Sequence, residues 1–507
     1  MSSQLPTECL NNIFEYLEDD KTTLYSCLLV NRLYCKVAVE ILWKDVWNFQ
    51  NNNYEPKTRL SIFNMLITFL TKESMERLRN SGINFINFTE KHALFNYPSF
   101  CKVISYVKIK ELINWAIVFK QINILGVFNH GYHLLIQEIL KMFMNQVTSL
   151  KSLDYSFCID SNVEFIYSPG TKICLKDLVE LRCDTNISPE FFSQLSQICH
   201  HIQSLIIFFL YSNKYHKINI PDGLTDLISS QNNLKSLELK NDCNEKIIRV
   251  LTPSLVKSSL TITNIGLYTC NESLSFISMF KNLQEINLWI DYTNNGDIFG
   301  FENLQFINFP KLKILRFKCE FPKIEFLTNF LEINGKNLTE FYINDGNKSI
   351  NLAISKYCPN IKNLYLNFIE DNDDELIILK KVLNNCQFLE SILVQIHQIT
   401  CSKKLFGILG EYSSKNFHEL KIKLELKSTC KVLIGLEEYF INWKKFNNNP
   451  QNLLSLNIMG HYSEIYDPKV IMIIEKYMKM GLLKNIIFNG IQYMCGLWYG
   501  TKSPNKM

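Results

Sequence analysis

One spacing of apolar positions organises most of the chain: apolar, two other residues, apolar, one other residue, apolar. Its middle anchor falls at Leu153, Leu181, Leu205, Leu237, Ile265, Ile286, Leu315, Phe341, Leu364, Ile392, Leu420, Leu456 and Ile486. The mean step is about 28 residues, long enough for a strand, a turn and a helix in each unit. Side chains alternate along a strand, so the last two anchors point to one face and must be buried there. A single strand cannot bury that face, so the units are expected to stack into a solenoid of parallel strands. Ser188-Pro189-Glu190 and Asp467-Pro468 read as helix starts, with a capping residue followed by proline in the first turn. Leu376, Leu379 and Leu383 form an amphipathic stripe. The steps are uneven, shortest from 265 to 286 and longest from 420 to 456, which predicts an irregular solenoid.

The same alternation names an outward row, formed by the residue between the last two anchors and the residue after them. In five consecutive units this row reads Tyr268; Asn287 and Trp289; Arg316 and Lys318; Tyr342 and Asn344; Tyr365 and Asn367. Solenoids present such rows on a concave sheet face, and Tyr, Trp and Arg often carry interface energy. These nine residues are the expected substrate-binding face. The Arg316 and Lys318 pair favours an acidic or phosphorylated partner segment.

Before the first clear repeat the pattern is different. Leu60, Phe63, Leu66, Ile67 and Leu70 fall at helical spacing, as do Leu134, Leu135, Ile139 and Leu140. Ile83–Phe88 reads as a degenerate repeat strand. Residues 48–145 are therefore expected to be a helical linker with atypical capping repeats. The first 47 residues hold three short helices. Leu10, Ile13, Phe14 and Leu17 share a face of the first, Thr22 or Thr23 caps the second, and Asn31 starts a third that ends at Trp43 and Trp47. So small a bundle leaves apolar surface that it cannot hide, which implies a partner.

Composition narrows the possibilities. Of 507 residues, 47% are hydrophobic and 20% charged, so a large core is expected. The net charge of +4 gives no general footprint for nucleic acid. No stretch reaches the roughly 18 apolar residues of a membrane span. The N-terminus lacks the basic and apolar segments of a signal peptide, so the 16 cysteines are expected as reduced thiols in the cytoplasm or nucleus. Asn87, Asn271, Asn337 and Asn347 begin sequons of the kind expected by chance. Gly-rich phosphate loops, CxxC pairs and a GxSxG elbow are all missing. In Cys199-His200-His201 the cysteine has a structural role and adjacent residues point different ways, and the His130 and His133 pair lacks further ligands nearby. Asp371–Glu375 lacks the glycine of a calcium loop. No metal, cofactor or catalytic centre is expected.

Two resemblances then add to this reading. LPTECLNNIFEYL followed by TLYSCLLVNRLYCKVAVEILW resembles an F-box across residues 4–47. Such a domain implies binding to the Skp adaptor, and through it to a cullin. The family's adaptor contacts carry over to Leu5, Pro6, Leu10, Ile13, Leu17, Leu24, Leu28, Val30 and Trp43. The repeat is similar to leucine-rich repeats, and in three units to the cysteine-containing type. Cys199, Cys358 and Cys386 each stand three residues before the first anchor, and Cys158 and Cys270 three after the last. Several units lack the cysteine. The expected fold class is α/β: a three-helix F-box (1–47), the linker and capping region (48–145), a curved leucine-rich-repeat solenoid with concave strands and convex helices (146–495), and a short tail (496–507). The expected function is the non-catalytic substrate receptor of a Skp–cullin–F-box ubiquitin ligase. The alternative is a repeat scaffold that uses its F-box for assembly without ubiquitination. Partners are the adaptor, the cullin and a protein substrate, with neither nucleic acid nor membrane.

Overall fold

A computed structural model describes residues 5–47, 56–86, 93–124, 128–158, 163–210, 220–241, 245–268, 274–289, 300–318, 322–343, 348–368, 373–396, 402–424, 433, 435–446, 453–460, 468–488 and 491–493. The chain divides into two compact units, Met1–Asp242 with Lys246–Ile262, and Cys243–Glu245 with Thr263–Met507.

The first unit begins with α1 (Thr7–Glu15), α2 (Lys21–Cys27) and α3 (Arg32–Leu42). Asn31 caps α3 as expected, accepting from Tyr34 N–H at 2.9 Å. The cap of α2 is Asp20, two residues before the nearer of the expected threonines. Its carboxylate accepts from Thr23 N–H at 3.1 Å and from the Thr23 hydroxyl at 2.6 Å. Leu10, Phe14, Leu24, Val37, Ala38 and Ile41 form the core of this bundle.

Helices α4 (Pro56–Thr68), α5 (Lys72–Asn80), α6 (Tyr106–Val118) and α7 (Phe128–Gln146) fill the region expected to be helical. Ile83–Phe85, here β1, is not a repeat strand. It pairs antiparallel with β3 (Ile122–Ile124) in a separate two-stranded sheet. The first repeat strand is instead β2 (Val103–Ser105), which lies within the region expected to hold capping repeats and places Ile104 beside Leu153. The parallel sheet of this unit continues through β4 (Ser152–Tyr155), β5 (Glu180–Asp184), β6 (Ser204–Phe208) and β7 (Ser236–Lys240). An ionic cluster fastens the helices outside it. Arg77 bonds Glu138 at 2.8 Å and Glu164 at 2.9 Å, and Lys141 bonds Glu164 at 2.8 Å. The Arg77 hydrogen bond, then Lys141, pulls the Glu164 carboxyl down to about 2.

The second unit holds parallel strands β8 (Asn264–Tyr268), β9 (Glu285–Trp289), β10 (Ile314–Phe317), β11 (Glu340–Ile343), β12 (Asn363–Phe368), β13 (Ser391–Ile396), β14 (Glu419–Leu424), β15 (Leu454–Met459) and β16 (Leu483–Phe488). A short antiparallel strand, β17 (Ile491–Tyr493), follows. The expected anchors lie side by side in both units, Leu153 to Leu237 in the first and Ile265 to Ile486 in the second. The architecture is mixed α/β and consistent with a leucine-rich-repeat solenoid. A helix in every unit was expected and is not found among the described residues. The short step between β8 and β9 has room only for the 3-10 turn Leu274–Met279, whose Leu274 and Ile277 still reach the core. Between β9 and β10 the described residues hold only the 3-10 turn Phe301–Asn303; helices return after β10, and in Asp373–Asn385 Leu379 and Leu383 are buried and Leu376 half-buried.

The corner cysteines behave as small apolar side chains. Cys199, Cys358 and Cys386 are fully buried, and burial pushes the Cys199 and Cys386 thiols up to about 12. The Cys199 thiol donates to Leu175 O at 3.3 Å, and the Cys386 thiol to Cys358 O at 3.4 Å, each reaching the previous corner. Cys158 is different: it is half-buried, with its sulfur 3.6 Å from the Asp184 carboxylate. Cys270 lies outside the described residues. Alkylation of Cys358 and Cys386 in the folded chain is expected to be slow, as mass spectrometry would read. Cys358→Ser should destabilise by about 1–3 kcal/mol, because a buried hydroxyl is harder to leave unpaired than a thiol. Cys386→Ser keeps its carbonyl acceptor and should lie at the low end. Rapid labelling of both thiols would remove the corner assignment.

Candidate interaction surfaces

The helical bundle sorts its apolar residues into two sets. Leu10 and Leu24 are 2% and 0% exposed, so they belong to the bundle core and offer no surface. Leu17 and Leu28 are half-buried and pack on that core. Trp43 is also half-buried and turns inward, its ring 4.7 Å from that of Tyr97. Leu10 and Leu24 are thus covered, while Leu17, Leu28 and Trp43 keep part of their surface. Leu5, Pro6, Ile13 and Val30 are exposed as expected. Sequence reasoning missed Tyr16 and Leu29, which are 92% and 89% exposed. Tyr16, the C-cap of α1, lies three residues after Ile13 and so falls on the same side as it. Leu29 lies in the turn before α3, where no helical period marks it.

The bundle is fastened to the first repeat strand. Trp47 is buried, and its indole N–H donates to Val103 O on β2 at 2.6 Å. Lys102 N–H donates to Lys44 O at 2.8 Å, and the Lys44 ammonium bonds Glu15 on α1 at 2.8 Å. The end of the third helix is thus tied to both α1 and the sheet, which fixes how the exposed apolar residues are presented.

In the second unit the outward row is less open than expected. Tyr268 and Trp289 face each other across neighbouring strands, with ring centroids 5.2 Å apart. The Lys318 ammonium sits 4.7 Å from the Trp289 ring centre, a cation–π contact. These three form an aromatic platform, and Trp289 remains 38% exposed. Arg316 is not available as an acid receptor. It bonds Glu340 at 2.5 Å, Asn287 Oδ1 at 3.1 Å and the Glu285 carboxylate. The Asn287 amide in turn donates to Glu285 at 2.8 Å. Both carboxylates occupy the position just before the middle anchor. Alternation points that position outward as well, but only strand pairing brings it beside Arg316.

Tyr365 is only 1% exposed. Its ring lies 4.5 Å from that of Tyr342, and its hydroxyl donates to Gln395. Parallel strands stand about 4.8 Å apart, so large side chains on adjoining strands cover one another. Asn344 lies outside the described residues, as does the side chain of Asn367.

Residues 2–48 match the family model of F-box-like domains. No curated protein matches the chain closely enough to stand as a relative. The chain therefore carries an F-box-like domain at its N-terminus, followed by parallel-strand units consistent with a repeat solenoid.

Proposed function

We propose that the chain is the substrate receptor of a Skp–cullin–F-box ubiquitin ligase. The observation that carries this reading is the F-box-like domain with Leu5, Ile13, Tyr16, Leu29 and Val30 in solvent, an apolar set that a Skp adaptor would cover. F-box domains generally bind such adaptors and assemble complexes. The ligase role, the cullin and the substrate belong to the proposal. The Tyr268, Trp289 and Lys318 platform receives part of the substrate. The receptor contributes proximity, holding a substrate lysine near the charged conjugating enzyme at high effective concentration, and none of its residues performs the transfer. Its place of action is the cytoplasm or nucleus.

Affinity capture of the tagged chain, with proteasome activity blocked, tests this reading. Adaptor, cullin and substrate are expected together. Trp289→Ala with Lys318→Ala should lower substrate recovery by about tenfold, as loss of a central aromatic anchor does. Adaptor recovery should be unchanged. Recovery of adaptor without cullin would leave an assembly scaffold instead. Equal substrate recovery by variant and wild type would remove the platform as the site.

A further inference from the structure

At the N-terminal ends of β10–β13, away from the aromatic platform, a groove of about 410 Å³ is lined by Lys311, Lys313, Lys336, Lys362, Asn360 and Phe388, among others. The four lysines are exposed. Lys362 bonds Glu390 at 2.7 Å. Lys311, Lys313 and Lys336 have no ion pair among the described residues. Phe388 keeps 51% of its surface in solvent although its neighbours Cys386 and Leu389 are buried. Backbone groups here are already used: Thr339 N–H donates to Lys313 O at 2.8 Å, and Lys362 N–H to Thr339 O at 2.7 Å.

We propose that this groove binds an acidic, unmodified segment of the protein partner, running across the strand entries with an apolar side chain against Phe388. The proposal rests on the reading of the second unit as a recognition surface. Charge is its first support, since three unmatched ammonium groups line one groove. Geometry is its second. The backbone bonds set Lys313, Thr339 and Lys362 side by side before three adjacent strands. Lys313 and Lys362 are thus two strand spacings apart, about 10 Å. On one face of an extended peptide, carboxylates at i and i+2 stand about 7 Å apart and those at i and i+4 about 13 Å, which brackets this distance. Cations distributed along a line match distributed carboxylates better than one phosphate, which draws its donors to a point. Past the last lysine the groove meets Phe388, which suits an apolar residue at the end of the acidic run.

The test uses the full chain, with and without a Skp adaptor, and fluorescence anisotropy of labelled peptides. A glutamate-rich peptide with a single leucine is expected to bind, and to weaken as salt rises. The same peptide with glutamines should not bind. Lys313→Gln with Lys336→Gln should reduce affinity for the glutamate peptide by roughly tenfold at low salt, with an unchanged thermal midpoint. Equal affinity of variant and wild type, or no binding of the glutamate peptide, overturns the proposal. Binding of a singly phosphorylated serine peptide in its place overturns the partner class. Adaptor affinity is measured in parallel. Its loss, with peptide binding intact, would sink the ligase reading and leave the groove standing.

Discussion

Capture of the Skp adaptor is expected to fall by at least about a hundredfold when Ile13 and Leu29 are both replaced by aspartate. Each side chain sits in solvent in the free chain, at 48% and 89% exposure, so neither replacement opens a hole in the bundle. Burying an unpaired carboxylate in an apolar interface is costly enough that two together exceed the roughly 2.7 kcal/mol of a hundredfold change. Leu24→Asp is the contrasting variant. Leu24 is fully buried among Leu10, Phe14, Val37, Ala38 and Ile41, so its loss should unfold the bundle and remove binding indirectly. Circular dichroism and isothermal calorimetry separate the two cases. Wild-type affinity in the Ile13 and Leu29 double variant would show that the adaptor uses another face.

The second large effect is expected at Trp47. Trp47→Ala should cost about 3–5 kcal/mol, the range for removing a large buried aromatic. The indole is 5% exposed, packs 6.1 Å from Phe143 and bonds Val103 O. Alanine would leave both a cavity and a carbonyl without its donor. Domain stabilities are commonly about 5–15 kcal/mol, so the change should be plain in urea unfolding. Trp47→Phe keeps most of the volume and loses the hydrogen bond, for about 1 kcal/mol. Hydrogen exchange at Val103–Ser105 should quicken in the alanine variant, because the strand loses the side chain that clasps it. Under the ligase reading, ubiquitin transfer should drop while adaptor affinity holds, since transfer depends on fixed spacing between bundle and sheet. An unchanged unfolding midpoint would show that Trp47 is not the fastening.

The repeat was legible because its physics is local. Two anchors of each strand must face the core, and every unit repeats that demand, so thirteen middle anchors could be placed from spacing alone. The three helices of the F-box were legible for a similar reason, from helical period and the Asn31 cap. Ile83–Phe85 misled because a short alternating run fits any half-buried strand, and only the partner strand Ile122–Ile124 decides which sheet it joins. Val103–Ser105 went unnoticed because three residues are too few to show a period.

What the sequence by itself determined was the register of the repeat strands from Leu153 onward and the three helices of the first 47 residues, set by periods of a few residues; the F-box reading of those helices came from resemblance. Tertiary structure alone decided which candidate contacts are free. Leu10 and Ile13 are both apolar residues of one helix, yet one is core and the other surface, because the position of α3 settles which face is covered. Arg316 looked like a free cation until strand pairing set Glu285 and Glu340 on either side of it. Burial and charge pairing depend on neighbours distant in sequence, and no local period encodes those.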